Sequence, residues 1–476
     1  MPYFDILKKD PASSARNGVI HTAHGEVQTP AFLPIGTRGT VKSVTSEELK
    51  FWGADMILAN TYHLWQRPGD ALIYKAGGLH KFMNWKGPIF TDSGGFQVYS
   101  LAKMRKVMEA GVLFQFDLDG RQEILSPEKS VDIQANLGSD VALILDDFPG
   151  YPFEYERSKE SIALTKRWAE RARKEFQKII IDGDPINPGQ KLWGIVQGAS
   201  FPDLRAQSAK DMVNLGFEAF AIGGVAVGEP HSEMMKAVEA VIPNLPESSP
   251  KHLLGVGTPF DIVQAVARGC DTFDCVIPTR EARHGRLYIS AKNIPAPTTP
   301  SRYAGHPSLA GGDAPAFAEA TADKPRSVSS FSRRSVTEGD EVVGVGSVEG
   351  YKTIDIRLDP PSPRLRRTAP DSVSQDLVNN QTQNVVEGYA TIDIRLEKYK
   401  EDFTTIDNTC DCYLCLNHTR AYLRHLFATG EQLGTRLATM HNLKFYLNLM
   451  KKIRTAIQYD YFEGMEKNYR DYTEKQ

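Results

Sequence analysis

The chain has 476 residues, 41% of them hydrophobic, with 56 Lys+Arg against 59 Asp+Glu and a formal net charge of −3. That is ample for a large buried core, and it excludes a global basic field, so any nucleic-acid contact must use a local patch. The opening MPYFDILKKDPASS has no apolar core of signal-peptide length, and no run of about 18 apolar residues occurs, so neither a signal peptide nor a membrane span is expected.

Eight short apolar runs follow in chain order, each ending in polar or glycine residues: AFLPIG (31–36), ADMILAN (54–60), PIFTDSGG (88–95), VALILDD (141–147), LWGIVQG (192–198), EAFAIGG (218–224), HLLGVG (252–257) and TFDCVIP (272–278). Their nearly continuous apolar character predicts buried parallel strands. Helical patterns alternate with them, as in SPEKSVDIQANLG (126–138), ERSKESIALTKRWAERARKEFQK (156–178) and PDLRAQSAKDMVNLG (202–216). Alternation of this kind predicts a (β/α)8 TIM barrel over residues 1–294. An open doubly wound sheet is the weaker alternative, because no GxGxxG fingerprint opens the chain. Polar residues sit at the strand ends (Asn60, Asp92, Asp146, Asp147, Gln197, Gly223, Gly224, Gly257 and Asp274), where barrel enzymes build their active sites.

Residues 295–388 break the pattern. The stretch is rich in Pro, Ala, Ser and Gly, and a disordered insert is expected there, with a folded accessory hairpin domain as the alternative. It carries a near-duplicate, VEGYKTIDIRLD (348–359) and VEGYATIDIRLE (386–397), read as an insertion that copied its flanking segment. Residues 389–476 are expected to form a zinc-binding subdomain with C-terminal helices that complete the barrel, helical from about His418 to Phe427 and again from His441 onward.

Five cysteines are present. Cys410, Cys412 and Cys415 cluster, which suits a metal site in a reducing compartment, so a cytoplasmic location is expected. Three thiolates with His441 satisfy a tetrahedral zinc ion and leave no open position, so the metal would be structural. His418 and His425 are alternative fourth ligands. Two carboxylates, Asp92 in TDSGGFQ and Asp274 in TFDCVIPTR, belong to the third and eighth predicted strands and can face one pocket. Cleaving a glycosidic bond requires such a pair, one nucleophile or base and one proton donor. Either can instead be a turn or helix-capping residue. His63 in NTYHLW reads as a hydrogen-bonded structural histidine. A barrel metallohydrolase is disfavoured by the lack of a His-x-His pair after the first strand.

TDSGGFQ, LDDFPGYP, WGIVQG, AIGGVAVGEP, LLGVGTP and FDCVIPTREARHG, in this order and with the CxCx2C…His closure, resemble the motifs of the queuine tRNA-ribosyltransferase family, in its bacterial form, over residues 1–294 and 389–476. The resemblance implies exchange of guanine at anticodon position 34 of tRNAs with a GUN anticodon for preQ1 (7-aminomethyl-7-deazaguanine), in queuosine biosynthesis. It implies Asp274 as the nucleophile that forms a covalent ribosyl-aspartate and Asp92 as general acid/base. It further implies that Asp146, Gln197, Gly223 and Gly224 read the base, that Phe96 and Leu254 sandwich it, that the Val225 carbonyl meets the aminomethyl group, and that Glu229 supports that backbone. Arg280 and Arg283, extended by Arg286, would read the tRNA beside the target. Zinc and a homodimer are implied as well. Apart from the resemblance, Lys451, Lys452 and Arg454 on a C-terminal helix form a basic cluster suited to phosphates or simply to a solvated helix face. Three departures stand out. Phe148 replaces a pocket cysteine, Thr258 stands where a lysine is common, and the insert is foreign to the family. Val227, where eukaryotic relatives have glycine, favours preQ1 over the bulkier queuine. A tRNA-binding paralogue without catalysis is the remaining alternative, disfavoured because both aspartates are present.

Overall fold

The computed structural model describes residues 2–101, 105–116, 120–291 and 388–473. The chain opens with an antiparallel three-stranded sheet, β1 (Phe4–Lys9), β2 (Arg16–Thr22) and β3 (Gly25–Thr29). The barrel follows as β4 (Ala31–Leu33), β5 (Ile35–Gly36), β6 (Ile57–Ala59) and β7 (Ile89–Thr91). A small meander, β8 (Arg105–Met108), β9 (Gly111–Gln115) and β10 (Gln122–Leu125), then intervenes. The barrel resumes with β11 (Val141–Leu143), β12 (Lys191–Val196), β13 (Phe220–Ile222), β14 (Lys251–Leu253) and β15 (Thr272–Asp274).

The barrel sheet runs β4-β15-β14-β13-β12-β11-β7-β6-β5, and all its pairings are parallel. Pro34 separates β4 from β5. Proline has no N–H for the ladder, so pairing lapses there, yet its carbonyl still accepts from Leu58 N at 3.0 Å. β4 and β5 are thus one interrupted strand, and the sheet closes as the eight-stranded barrel expected. Strands β6, β7, β11, β13, β14 and β15 are buried at every residue, which is why they read as unbroken apolar runs.

The crossover helices carry their own boundary signals. Pro127–Leu137 is capped by Ser126, whose side chain accepts from Lys129 N at 3.1 Å, has Pro127 in its first turn, and ends at Gly138 with φ 70°. Helix Gln432–Gln458 packs against β4 and the helices after β14 and β15: Tyr446 lies 5.0 Å from Phe32 between ring centres and donates to Gly257 O at 3.1 Å. His441 therefore sits well inside this helix, not at the start of one, since the periodicity begins at Gln432. The other C-terminal helix of the expected pair spans Arg420–Thr429.

β16 (Arg286–Ser290) and β17 (Tyr389–Asp393) pair antiparallel, and Ala291 N donates to Gly388 O at 3.1 Å. The expected insert thus leaves and returns at one point of a hairpin. The second repeat copy supplies β17. The first copy and the expected disorder of 295–388 lie outside the described residues, apart from Gly388 itself. Among the described residues, no helix is long and apolar enough to cross a membrane.

Candidate active site and metal centre

The strand ends bring the expected residues to one mouth of the barrel. Asp92 follows β7, Asp146 follows β11, Gln197 follows β12, Gly223 and Gly224 follow β13, Leu254 follows β14, and Asp274 ends β15. In a parallel barrel these positions converge.

Asp92 is fixed by its neighbours. Its Oδ1 accepts from Thr61 N (2.9 Å) and Gly94 N (3.1 Å), and its Oδ2 from Asn60 Nδ2 (2.6 Å). Burial pushes its carboxyl up to about 7; the Asp274 and Asp146 carboxylates add to the rise, while the Thr61 and Gly94 N–H groups pull it back. Burial also raises Asp146 to about 7, opposed by the Gln197 amide, which donates to Asp146 Oδ2 at 2.5 Å. Gln197 Oε1 is buried and accepts no hydrogen bond among the described residues.

Asp274 Oδ1 is 3.0 Å from His252 Nε2 and accepts from Gly255 N at 3.0 Å. His252 is fully buried, and its Nδ1 lies 2.9 Å from Thr272 Oγ1.

The Gly223–Gly224 turn needs its glycines: a Cβ on Gly224 would stand 2.2 Å from Gln197 Oε1, and φ there is +62°. Arg205, buried on helix Pro202–Asn214, donates to the carbonyls of Ala199, Val196, Gly223 and Gly224 at 2.7–3.1 Å. Burial lowers its pKa to about 9, and Glu229 works against that fall. Glu229 in turn accepts from Ala226 N (2.5 Å) and Val227 N (2.9 Å), holding the turn beyond the buried Val225. Phe96 is half exposed and stacks on Phe148 with ring centres 5.7 Å apart. A purine needs about 7 Å between two faces, twice a contact distance of about 3.5 Å, so a base stacking on Phe96 uses its other face. Asp147 turns away from the mouth and pairs with Arg157 at 2.7 Å.

Helix Ile277–Arg283 carries Arg280 and Arg283 immediately after Asp274. Both are exposed, whereas Arg286 pairs with Glu281 at 2.8 Å. Lys451 and Lys452 are exposed. Arg454 is instead engaged at the opposite end of the barrel, donating to Pro30 O at 2.6 Å, which removes it from the expected phosphate cluster. Thr258 caps helix Pro259–Ala267 in a capping box with Asp261.

Cys410, Cys412, Cys415 and His441 converge as a potential metal site. The three sulfurs lie 3.8, 3.4 and 3.3 Å from His441 Nδ1. A tetrahedral ion with bonds of about 2.0–2.3 Å holds its ligand atoms roughly 3.5 Å apart, so the set fits. His441 Nε2 is 2.6 Å from Tyr288 O, which fixes the proton there and leaves Nδ1 for a metal. His418 stacks on Tyr422 instead. Asn442, next along the helix, donates to Pro278 O and Arg286 O and accepts from Tyr288 N, tying the metal segment to the arginine helix.

His24, His80 and Asp140 form a second cluster, at the amino ends of the strands. Asp140 already accepts from His24 N, His24 Nδ1, His80 Nε2 and Ile89 N, at 2.9–3.2 Å. Its lone pairs are taken, and the group anchors the fold.

Arg205 and His252 escaped the sequence reading. A lone arginine in a helical pattern and a histidine within a strand carry no motif, and their importance lies only in partners distant in sequence.

The family profile described as Queuine tRNA-ribosyltransferase matches residues 10–475. A protein of Listeria innocua named Queuine tRNA-ribosyltransferase is 40% identical over 457 residues, covering 96% of this chain and 93% of its own. Like-named proteins of Streptococcus gordonii and Streptococcus uberis are each 41% identical, covering 96% of this chain and 92% of theirs. With a closed barrel, paired carboxylates at its mouth and a Cys3His cluster alongside, the chain belongs to the queuine tRNA-ribosyltransferase family of enzymes.

Proposed function

We propose that this enzyme exchanges the guanine at anticodon position 34 of GUN tRNAs for preQ1, through a covalent bond between ribose C1′ and Asp274. The observation that carries the reading is the meeting of two carboxylates in different environments at one barrel mouth: Asp92 raised to about 7 and Asp274 with one oxygen left open. An Asp274 oxygen attacks C1′ as the C1′–N9 bond breaks. The bonding pair leaves with guanine, which takes the Asp92 proton. The incoming base then gives its N9 proton to ionised Asp92 and attacks C1′, and the ester bond to Asp274 breaks. The charge state is restored and two displacements follow in ping-pong order. Oxocarbenium character at C1′ favours the nearby carboxylates.

Asp146 accepts from the base's ring N–H and amine, and Gln197 with the Gly224 N–H serves its carbonyl edge. Val225, braced by Glu229, offers its carbonyl to the aminomethyl group. Phe96 and Leu254 provide the apolar faces. Arg280, Arg283 and Arg286 lie beside the nucleophile, on the path of an anticodon loop whose target base has left its stack. The Cys3His set holds zinc as a structural ion. A homodimer in the cytoplasm completes the reading.

The test is exchange of labelled guanine in a GUN-anticodon tRNA, with trapping of a denaturation-resistant RNA–protein adduct. Asp274→Ala is expected to abolish both; retained exchange overturns the mechanism. Efficient queuine incorporation with preQ1 rejected overturns the choice of base.

A further inference from the structure

We infer that His252 is a positioning residue for the nucleophile: it orients the Asp274 carboxylate so that Oδ2 alone is the attacking oxygen. The inference rests on Asp274 being the nucleophile.

The geometry is a relay across two neighbouring strands. His252 in β14 is paired in register with Thr272 in β15, and the same ring reaches Asp274 two residues further along β15. Its Nδ1 is 2.9 Å from Thr272 Oγ1 and its Nε2 is 3.0 Å from Asp274 Oδ1. An ionised carboxylate only accepts, so Nε2 carries the proton. Nδ1 faces the Thr272 hydroxyl. The imidazole is fully buried and packs on Phe90 with ring centres 4.7 Å apart, so it has little freedom to turn.

The consequence falls on the carboxylate. Oδ1 takes two donors, His252 Nε2–H and Gly255 N–H, whereas Oδ2 receives no hydrogen bond among the described residues. An oxygen with two donors has its lone pairs engaged. The other oxygen keeps its electron density and is held at a fixed angle. When the C1′–Oδ2 bond forms, the C1′–N9 bond breaks, guanine leaves with the electron pair, and Asp92 supplies its proton. In the second half the C1′–Oδ2 bond breaks again, and His252 receives the same carboxylate orientation back. The ring gives up no proton in either step. Preorganisation of this kind lowers the barrier without tightening tRNA binding.

The experiment measures kcat, KM for tRNA and single-turnover adduct formation for His252→Phe, His252→Gln and Thr272→Val, with thermal unfolding of each and with Asp274→Ala as reference. His252→Phe keeps the stacking and loses both hydrogen bonds; kcat and adduct formation are expected to fall about 100-fold with KM changed less than about threefold. His252→Gln, whose amide can still donate to Oδ1, should recover most of that loss. Thr272→Val should lose rate in the same direction and to a smaller extent. Wild-type kcat in a folded His252→Phe, or no recovery in a folded His252→Gln, overturns the positioning role. If His252→Phe unfolds, wild-type adduct formation in a folded Thr272→Val overturns it. Adduct persisting in Asp274→Ala sinks the nucleophile assignment instead, so the two failures are distinguishable.

Discussion

In the proposed mechanism Asp92 has two duties, and its surroundings suit both. Burial among other carboxylates favours the protonated form, while three donors keep the ionised form accessible. With its carboxyl near 7, the protonated acid that guanine departure requires is depleted as pH rises through about 7. The ionised base that the incoming base requires is depleted as pH falls through the same range. Single-turnover adduct formation should therefore decline on the alkaline side, and capture of the preformed adduct by free base should decline on the acid side. Stopped or quenched time courses at a series of pH values would read both limbs. Asp92→Asn should flatten both and cost about 10²–10⁴-fold in rate. Asp92 and Asp274 were legible in the sequence because each closes an apolar run. The raised pKa of the one and the single open oxygen of the other were not, since both depend on neighbours from other strands.

Helices and strands act here as holders of a site they barely touch. The guanidinium on helix Pro202–Asn214 gathers four carbonyls from the exits of β12 and β13. Arg205→Met would strand the carbonyls of Ala199, Gly223 and Gly224, each at about 1–3 kcal/mol, whereas Val196 O keeps the Gly223 N–H. The expected outcome is a raised KM for guanine and preQ1 and a lower thermal midpoint, read by exchange kinetics and calorimetry. Helix Gln432–Gln458 has a parallel role, since it presents His441 to the cysteines and, one residue on, Asn442 to the arginine helix. Removing the metal with a chelator, or replacing His441 by Ala, should lower the thermal midpoint by roughly 5–10 °C and weaken tRNA affinity more than affinity for free base. Metal content by atomic absorption should fall in step. The sequence reading placed the start of this helix at His441, although its apolar period, with Leu437, Ala438 and Met440 buried, already runs through the turns before it.

At the scale of the molecule, the long stretch between the barrel and the metal segment interrupts nothing in the ladder. Ala291 and Gly388 are hydrogen-bonded neighbours, and β16 and β17 pair without a gap. Replacing residues 292–387 by a two-residue Asn-Gly turn suits such a hairpin. It should leave guanine exchange within about threefold of the full chain, and the thermal midpoint should not fall, because a tight turn joins β16 and β17 in their existing register. Loss of exchange in the folded short chain would give the stretch a role in tRNA handling.

Local chemistry alone pointed to the barrel, to Asp92 and Asp274 as strand-end carboxylates and to the three clustered cysteines, because buried parallel strands are apolar throughout and strand ends and Cys spacings are written in contiguous residues; that His441, and not His418 or His425, joins the cysteines was decided by the fold. Only the tertiary structure decided that Pro34 breaks a strand without opening the barrel, that Arg454 belongs to the far end, and that Phe148 stacks on Phe96. It alone brought Arg205 to four carbonyls and His252 to one oxygen of Asp274. Those facts depend on groups that are distant along the chain and meet only when the barrel closes.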